Sequence, residues 1–449
     1  MKKKIILSSA IFFLLFLIFF LCPPAPGQPQ GKLVLTLEES IRLALERNPF
    51  FLANQEKITE ASASLREAAA RFFPTLNAQG THTLDEKLFT LEFPSFIPGQ
   101  PAQRVRVDFT RDYQMGFSFS VPLFTGGKLV SGFKQAEYNL RATEESVRQA
   151  KLDTIYNVKR AFYGYLLAQK FVEVAKEAVD LAAKHLENVR HLYEVGLASR
   201  FDLLRSEVQL ANLKPQLLRA QNQVELAAIN LKTLLGIDLA QEIELQGELT
   251  FKPFEVEEKE LLEQALAWRP ELSGLRYQRQ MAGELIKLAR SADLPTIAVG
   301  GSYNFWANYL NFKKGNWQSY YSFNLVLSIP IFNGFSSSAQ VAKAKAMERS
   351  LELTEKGMVD LIRAEIKQAW LNLKQAQETL LSQEKNLEQA QESVRLAELN
   401  YNEGLATFLD VSSAQVALTQ ARTNYSQALF DYAMAVAQLE KAVGKDEDE

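Results

Sequence analysis

The chain has 449 residues with 50 Lys and Arg against 53 Asp and Glu, a near balance that excludes the basic surface a nucleic-acid binder needs. One cysteine and three histidines (His82, His185, His191) exclude a disulfide framework and give no metal-ligand spacing. No metal or other cofactor is expected.

Residues 1–27 begin with Lys2, Lys3 and Lys4, continue as an unbroken apolar run from Ile5 to Leu21, and close on CPPAPG with Ala25 and Gly27 at small-residue cleavage positions. This is the pattern of a secretory signal peptide cut after Gly27. Cys22 then leaves with the leader. The alternative is lipid attachment at Cys22, against which Leu21 stands where such sites carry Gly, Ala or Ser. Beyond Leu21 no apolar run of about 18 residues occurs, so a membrane crossing by the exported chain is expected to be a closed β-barrel.

The remainder is written twice. ALERNP at Pro49 aligns with ALAWRP at Pro270, and FFPTL at Pro74 with DLPTI at Pro295, without a gap. SVPLFTG at Pro122 aligns with SIPIFNG at Pro330, and LLG at Gly236 with AVG at Gly444, at a spacing 13 residues shorter. The difference falls between Pro74 and Pro122, where the first copy is expected to carry a longer loop. Self-similarity on this scale marks structural repeats. The domains read as repeat 1 at 28–237, a linker at 238–257, repeat 2 at 258–444 and an acidic tail at 445–449.

Each repeat opens with a helix (Thr36 to Arg47 in the first) that Asn48-Pro49 interrupts, and a second helix is expected to run to Phe73. A strand hairpin follows, at 75–121 and at 296–329. In its second strand Tyr113, Met115, Phe117 and Phe119 alternate with polar or small residues, as do Tyr321, Phe323, Leu325 and Leu327, which predicts one greasy and one wet face. The first strand of each hairpin reads as shorter and weaker. A helical hairpin then spans 122–235 and 330–443. No proline occurs from Leu123 to Val195, so one helix of ~110 Å is expected, with a heptad through Val172, Ala175, Val179, Ala182, Leu186, Val189 and Tyr193. The return helix plus the helix after Pro49 nearly equals that length, so the two shorter helices are expected to stack end to end along the long one.

Between the arms of each helical hairpin stands one decapeptide, YEVGLASRFD at Tyr193 and YNEGLATFLD at Tyr401, with Gly196 and Gly404 208 residues apart. The glycines fit left-handed C-caps, and Ser199 with Asp202, like Thr407 with Asp410, fits a capping box at the start of the return helix.

The two long hairpins, the PLFTGG and PIFNGF joints between strand and helix, and the paired Y-x-x-G-L-A-[ST] tips together resemble the TolC-like outer-membrane efflux proteins, over Leu35 to Gly444. The resemblance implies a mainly α fold with a β-barrel portion. A homotrimer would share a twelve-strand transmembrane barrel, and its helices would form a barrel in the periplasm. It implies an exit duct of a tripartite efflux pump or type I secretion system, working with a periplasmic adaptor and an inner-membrane transporter. Tyr113, Met115, Phe117, Phe119, Tyr321, Phe323, Leu325 and Leu327 would face outer-membrane lipid. Gly196, Leu197, Ala198, Gly404, Leu405 and Ala406 would form adaptor-docking tips. Asp410 matches an aspartate that such proteins place in a ring at the periplasmic constriction, with Ser413 where a second aspartate is usual. Asp202 and Tyr401 match partners in the bonds that hold the tips closed; the arginine expected with them is Ala406 here, which leaves Arg200 or Arg205 as substitutes.

An enzyme reading finds no G-x-S-x-G, and TGGK at Thr125 lacks the flanks of a phosphate loop. The remaining alternative is a periplasmic coiled-coil adaptor or scaffold without a pore.

Overall fold

The structure, a computed structural model, describes residues 32–84, 89–94, 97, 101–107, 113–253, 257–311, 313 and 315–445. The leader with Cys22, and the end of the acidic tail, lie outside the described residues.

The duplication is visible in element lengths. Helices α1 (Leu37–Arg47) and α5 (Glu258–Trp268) each have 11 residues, and α2 (Pro49–Ala70) and α6 (Pro270–Ser291) each have 22. The long helices α3 (Lys128–Glu194) and α7 (Ser336–Asn402) each have 67, and the return helices α4 (Arg200–Leu235) and α8 (Phe408–Val443) each have 36. Thr36 caps α1 through a reciprocal bond with Glu39, which the sequence reading passed over. Two boundaries differ from expectation. α2 stops at Ala70, not Phe73, because the amides of Phe72 and Phe73 turn back to the carbonyls of Ala69 and Ala70. α3 begins at Lys128 because Pro122 is still in a strand and Gly126 and Gly127, both at positive φ, make the turn. α4 runs through Pro215, which the chain tolerates inside a long helix.

Two compact units divide the chain. One holds residues 53–152 and 256–368 with the C-terminal end, and contains the main sheet. Its strands β2 (Thr75–His82), β5 (Tyr113–Phe124), β7 (Thr296–Ala307) and β8 (Gln318–Ser328) are hydrogen-bonded in that order and antiparallel throughout. The hairpins of the two repeats are therefore one sheet, joined by β5 and β7. β7 has 12 residues, not the short strand expected, and β5 continues beyond residue 121 through an irregularity at Pro122. The longer loop of repeat 1 is itself structured, with β3 (Phe89–Phe93) paired to β4 (Gln103–Val107). Phe335, at φ 65, is the only non-glycine residue with positive φ among the described residues and stands where repeat 1 has Gly127. Its exposed ring packs edge-on against Phe332 at 5.4 Å.

The other unit holds the start of the chain to Leu52 with residues 153–255 and 369–439. Strand β1 (Leu33–Leu35) pairs in parallel with β6 (Ile243–Leu245), which lies in the inter-repeat linker. Leu35, Ile41, Ala44, Val158, Leu231 and Ile243 share one core. Gly247 lies against the Phe162 ring, and the Tyr432 hydroxyl donates to the Lys252 carbonyl at 2.7 Å, so the linker packs on α3 and α8.

The end of α4 meets the start of α2 in this unit. The Asn48 side chain donates to the Leu234 carbonyl at 2.8 Å and accepts from the amides of Phe50 and Phe51, so one residue satisfies polar groups at both helix ends. In repeat 2, Arg269 takes that place, donating to the Ala442 carbonyl at 2.6 Å and pairing with Glu365 at 2.6 Å. Gly236 caps α4 at φ 65, and a Cβ there would overlap the Arg47 carbonyl. Gly236→Ala is expected to cost clearly more stability than the roughly 1 kcal/mol of left-handed strain alone. Gly127→Ala, also at positive φ but with open space around it, should cost only that strain. Thermal denaturation of the two variants compares them, and equal losses would show that the close approach to Arg47 carries no weight.

Candidate functional site

The register of the sheet assigns every strand residue to a face. Leu76, Ala78, Gly80 and His82 pair with Phe119, Phe117, Met115 and Tyr113, which pair in turn with Gly301, Tyr303, Phe305 and Ala307. Gly301 and Tyr303 then pair with Phe323 and Tyr321, and Val299 and Ile297 with Leu325 and Leu327. The eight apolar residues expected to share a face thus do so, and β2 and β7 extend it across four strands. Phe323 is 72% exposed and Leu325 67%, so nothing among the described residues covers this face there. Gly301 leaves room for the Phe119 ring, which would lie 2.5 Å from a Cβ at that position and sits 6.2 Å from the Phe323 ring. The opposite face carries Asn77, Gln79, Gln114, Ser118, Ser302, Asn304, Ser322 and Asn324, with Ser302 and Ser322 hydroxyls 2.9 Å apart. None of the four strands contains Asp, Glu, Lys or Arg.

Both decapeptides form the same turn. Gly196 and Gly404 have φ of 77 and 73. The amides of Leu197 and Ala198 donate to the Leu192 carbonyl, and those of Leu405 and Ala406 to the Asn400 carbonyl. Leu197 and Leu405 project into open space, 77% and 79% exposed. At the return helices the capping boxes are present: the Ser199 hydroxyl donates to Asp202 Oδ2 at 2.6 Å, and the Thr407 hydroxyl and amide both donate to Asp410 Oδ2 at 2.7 Å. The Thr407 donors hold the Asp410 carboxyl below the usual carboxylate range, so the cap is at full strength at neutral pH and weakens only in strong acid. Ser413 is exposed on α8.

Tyr401 is half-buried; burial first, and then the Asp202 carboxylate, raise its phenol above the ordinary value. Arg205 stacks over its neighbour Phe201 at 4.8 Å. The two hairpins are linked here by Asn188 to Asn402 at 3.0 Å and Ser412 to Gln209 at 3.2 Å, and the arms of the first by Arg190 to Glu207 at 3.7 Å. Sequence reasoning missed these, and it also missed His185. That residue is buried between the rings of Tyr401 and Phe408, at 5.5 and 5.1 Å. Its place one residue before the seam position Leu186 was the available signal.

The profile of the outer membrane efflux protein family matches residues 40–237 and 261–445, one segment in each repeat. Outer membrane protein TolC of Vibrio cholerae is 25% identical over 337 residues, covering 73% of this chain and 76% of its own length. Pyoverdine export outer membrane protein OpmQ of Pseudomonas aeruginosa is 24% identical over 410 residues, 91% of this chain and 85% of its own. The solved CmeC outer membrane channel of Campylobacter jejuni shares the fold at a TM-score of 0.75 and 18% identity, over 91% of this chain and 85% of that one. These matches favour a channel over the adaptor or scaffold alternative. An uncovered apolar face on a charge-free sheet, a chain made of two long helical hairpins and a family match spanning both repeats converge on one assignment: the chain belongs to the outer membrane efflux protein family and is a TolC-like exit channel with most of its length in the periplasm.

Proposed function

We propose that three copies of the chain close a twelve-strand barrel in the outer membrane, with their helices forming one duct in the periplasm. An adaptor and an inner-membrane transporter deliver cargo to it, in a tripartite pump or a type I secretion system. The observation that carries this reading is the four-stranded sheet itself. It carries one apolar face and ends in two strands, β2 and β8, that among the described residues pair on one side only. Within lipid, unpaired strand edges cost several kcal/mol per polar group, so a sheet of this kind is completed by identical neighbours.

α4 supports the same assembly. Phe201, Leu204, Val208, Ala211, Pro215 and Leu218 recur at alternating three- and four-residue spacing and are all exposed. This is a heptad seam that the described residues leave exposed. At the matching positions α8 has Leu409, Ser412, Val416, Thr419, Thr423 and Ser426, so only Leu409 and Val416 stay apolar and exposed there. Repeats that differ in this way make a head-to-tail contact, which closes into a ring.

At the tips, the exposed Leu197 and Leu405, with the small residues beside them, form the surface for the adaptor's own hairpin tips. Asp410 is the gate residue. One Thr407 cap occupies Oδ2, and three such carboxylates around the axis would form an anionic ring that favours cations. Asp202 and Tyr401 flank it.

Three outcomes are expected. Phe119→Arg should cost about 2–4 kcal/mol in refolding into bilayers and Ser118→Arg far less; equal tolerance would remove the lipid-facing assignment. Val208→Asp should lower the yield of trimer on native gels while Ser413→Asp does not, and an intact Val208→Asp trimer would place the interface elsewhere. Asp410→Asn should abolish cation preference and trivalent-cation block in planar bilayers, whereas an unchanged reversal potential would leave Asp410 as a helix cap alone.

A further inference from the structure

We infer that His185 makes the packing of the helix tips proton-sensitive, so that charging its imidazole releases α3 from α7 and α8. The geometry is that of an enclosed imidazole whose Nε2 meets no acceptor among the described residues. His185 is 7% exposed, its ring lies between those of Tyr401 on α7 and Phe408 on α8, and its Nε2 has no hydrogen-bond partner among the described residues. The next layer is apolar, with Leu181 against Val394, Ala414 and Leu418.

A second unsatisfied atom lies in the same packing. Gln415 is buried with its Oε1 unpaired, while its Nε2 donates to Glu398 Oε1 at 3.3 Å. The groups around His185 can be taken element by element. α7 brings Glu398, the carboxylate whose field favours the charged imidazole, together with the Tyr401 phenol. α8 brings Phe408 and Gln415, neither of them charged. The field of Asp202 on α4 acts on Tyr401. On α3 itself, His191 pairs at the surface with Glu194.

An imidazolium needs two acceptors, and leaving a buried charge short of them is costly. Burial, only partly opposed by Glu398, holds the His185 pKa below its ordinary value. The sign follows. The released tip binds a proton more readily than the packed one, so packing is at full strength above about pH 6.5, weakens as pH falls through that value, and levels off below the buried pKa. Each unit of depression multiplies the opening equilibrium about tenfold. The matching position in repeat 2 is Ser393, which does not titrate in this range, so each chain carries one such group at its tips.

The inference takes from the proposed function only the placement of the tips at the gate. The test uses the full-length trimer in detergent and in planar bilayers. Amide exchange at residues 181–205 and 394–415, corrected for intrinsic rates, is followed from pH 8 to pH 5 in wild type, His185→Gln and Glu398→Gln. Protection in wild type should fall on acidification by about tenfold per unit of depression, lose its pH dependence in His185→Gln, and fall at lower protection overall with a midpoint moved to lower pH in Glu398→Gln. An identical pH response in wild type and His185→Gln would overturn the inference. If His185→Gln does not assemble, an unmoved midpoint in Glu398→Gln overturns it equally. Conductance separates the two readings: exchange that depends on His185 without any parallel rise in conductance sustains the proton-sensitive packing and sinks the placement of the gate at the tips.

Discussion

Lipid offers a strand no water to hydrogen-bond its backbone, so every strand in a bilayer must find a neighbour on both sides. Among the described residues the main sheet of one copy leaves β2 and β8 as edges, and the proposed barrel would meet that condition through neighbouring copies. The alternation of side chains ties this backbone requirement to the solvent requirement. A slip of one residue between β5 and β7 would carry Phe117 and Phe119 to the face of Asn304 and Ser302. The register is therefore held by both faces at once, and the absence of Asp, Glu, Lys and Arg from the strands leaves no charge that would have to be buried in either.

The helices obey a different constraint, the satisfaction of helix ends where one helix abuts another. Asn48 meets it in repeat 1 with an amide that both donates and accepts. Arg269, which can only donate, meets it in repeat 2 at the α8 end alone, with a guanidinium charge balanced by Glu365. The solutions differ chemically yet preserve the same element lengths. What has diverged is the surface: α4 exposes an apolar heptad of which α8 keeps only Leu409 and Val416, and among the described residues only repeat 1 carries the β3–β4 hairpin. Near-equal halves with unequal surfaces suit a ring in which each chain meets its neighbour through different faces.

At the tips, the groups that build the turn are also the groups available to act. Asp410 caps α8 and, through the same carboxylate, offers charge to the solvent. Tyr401 supports the turn with its carbonyl, which accepts from the Gly404 amide, while its ring covers His185. Structural roles and the roles proposed for these residues therefore overlap here, and a substitution has to be judged by a transport measurement as well as by stability.

Much of this was legible in the sequence because it is local or periodic. The capping boxes need four consecutive residues, the left-handed glycines need one, and the two faces of the strands need only a period of two. The repeat boundaries followed from matching prolines and glycines, and the lengths of the helices from the distance between them. Sequence alone did not decide which strand of repeat 1 pairs with which of repeat 2, that residues 33–35 reach the linker strand, or that the longer loop folds as a hairpin. Nor did it show that the Phe201 to Leu218 seam of α4 stays exposed, or that His185 is enclosed by Tyr401 and Phe408. Those depend on contacts between segments far apart in the chain, where hydrogen-bond pairing and burial are set by which surfaces meet, and a local pattern carries no information about its partner.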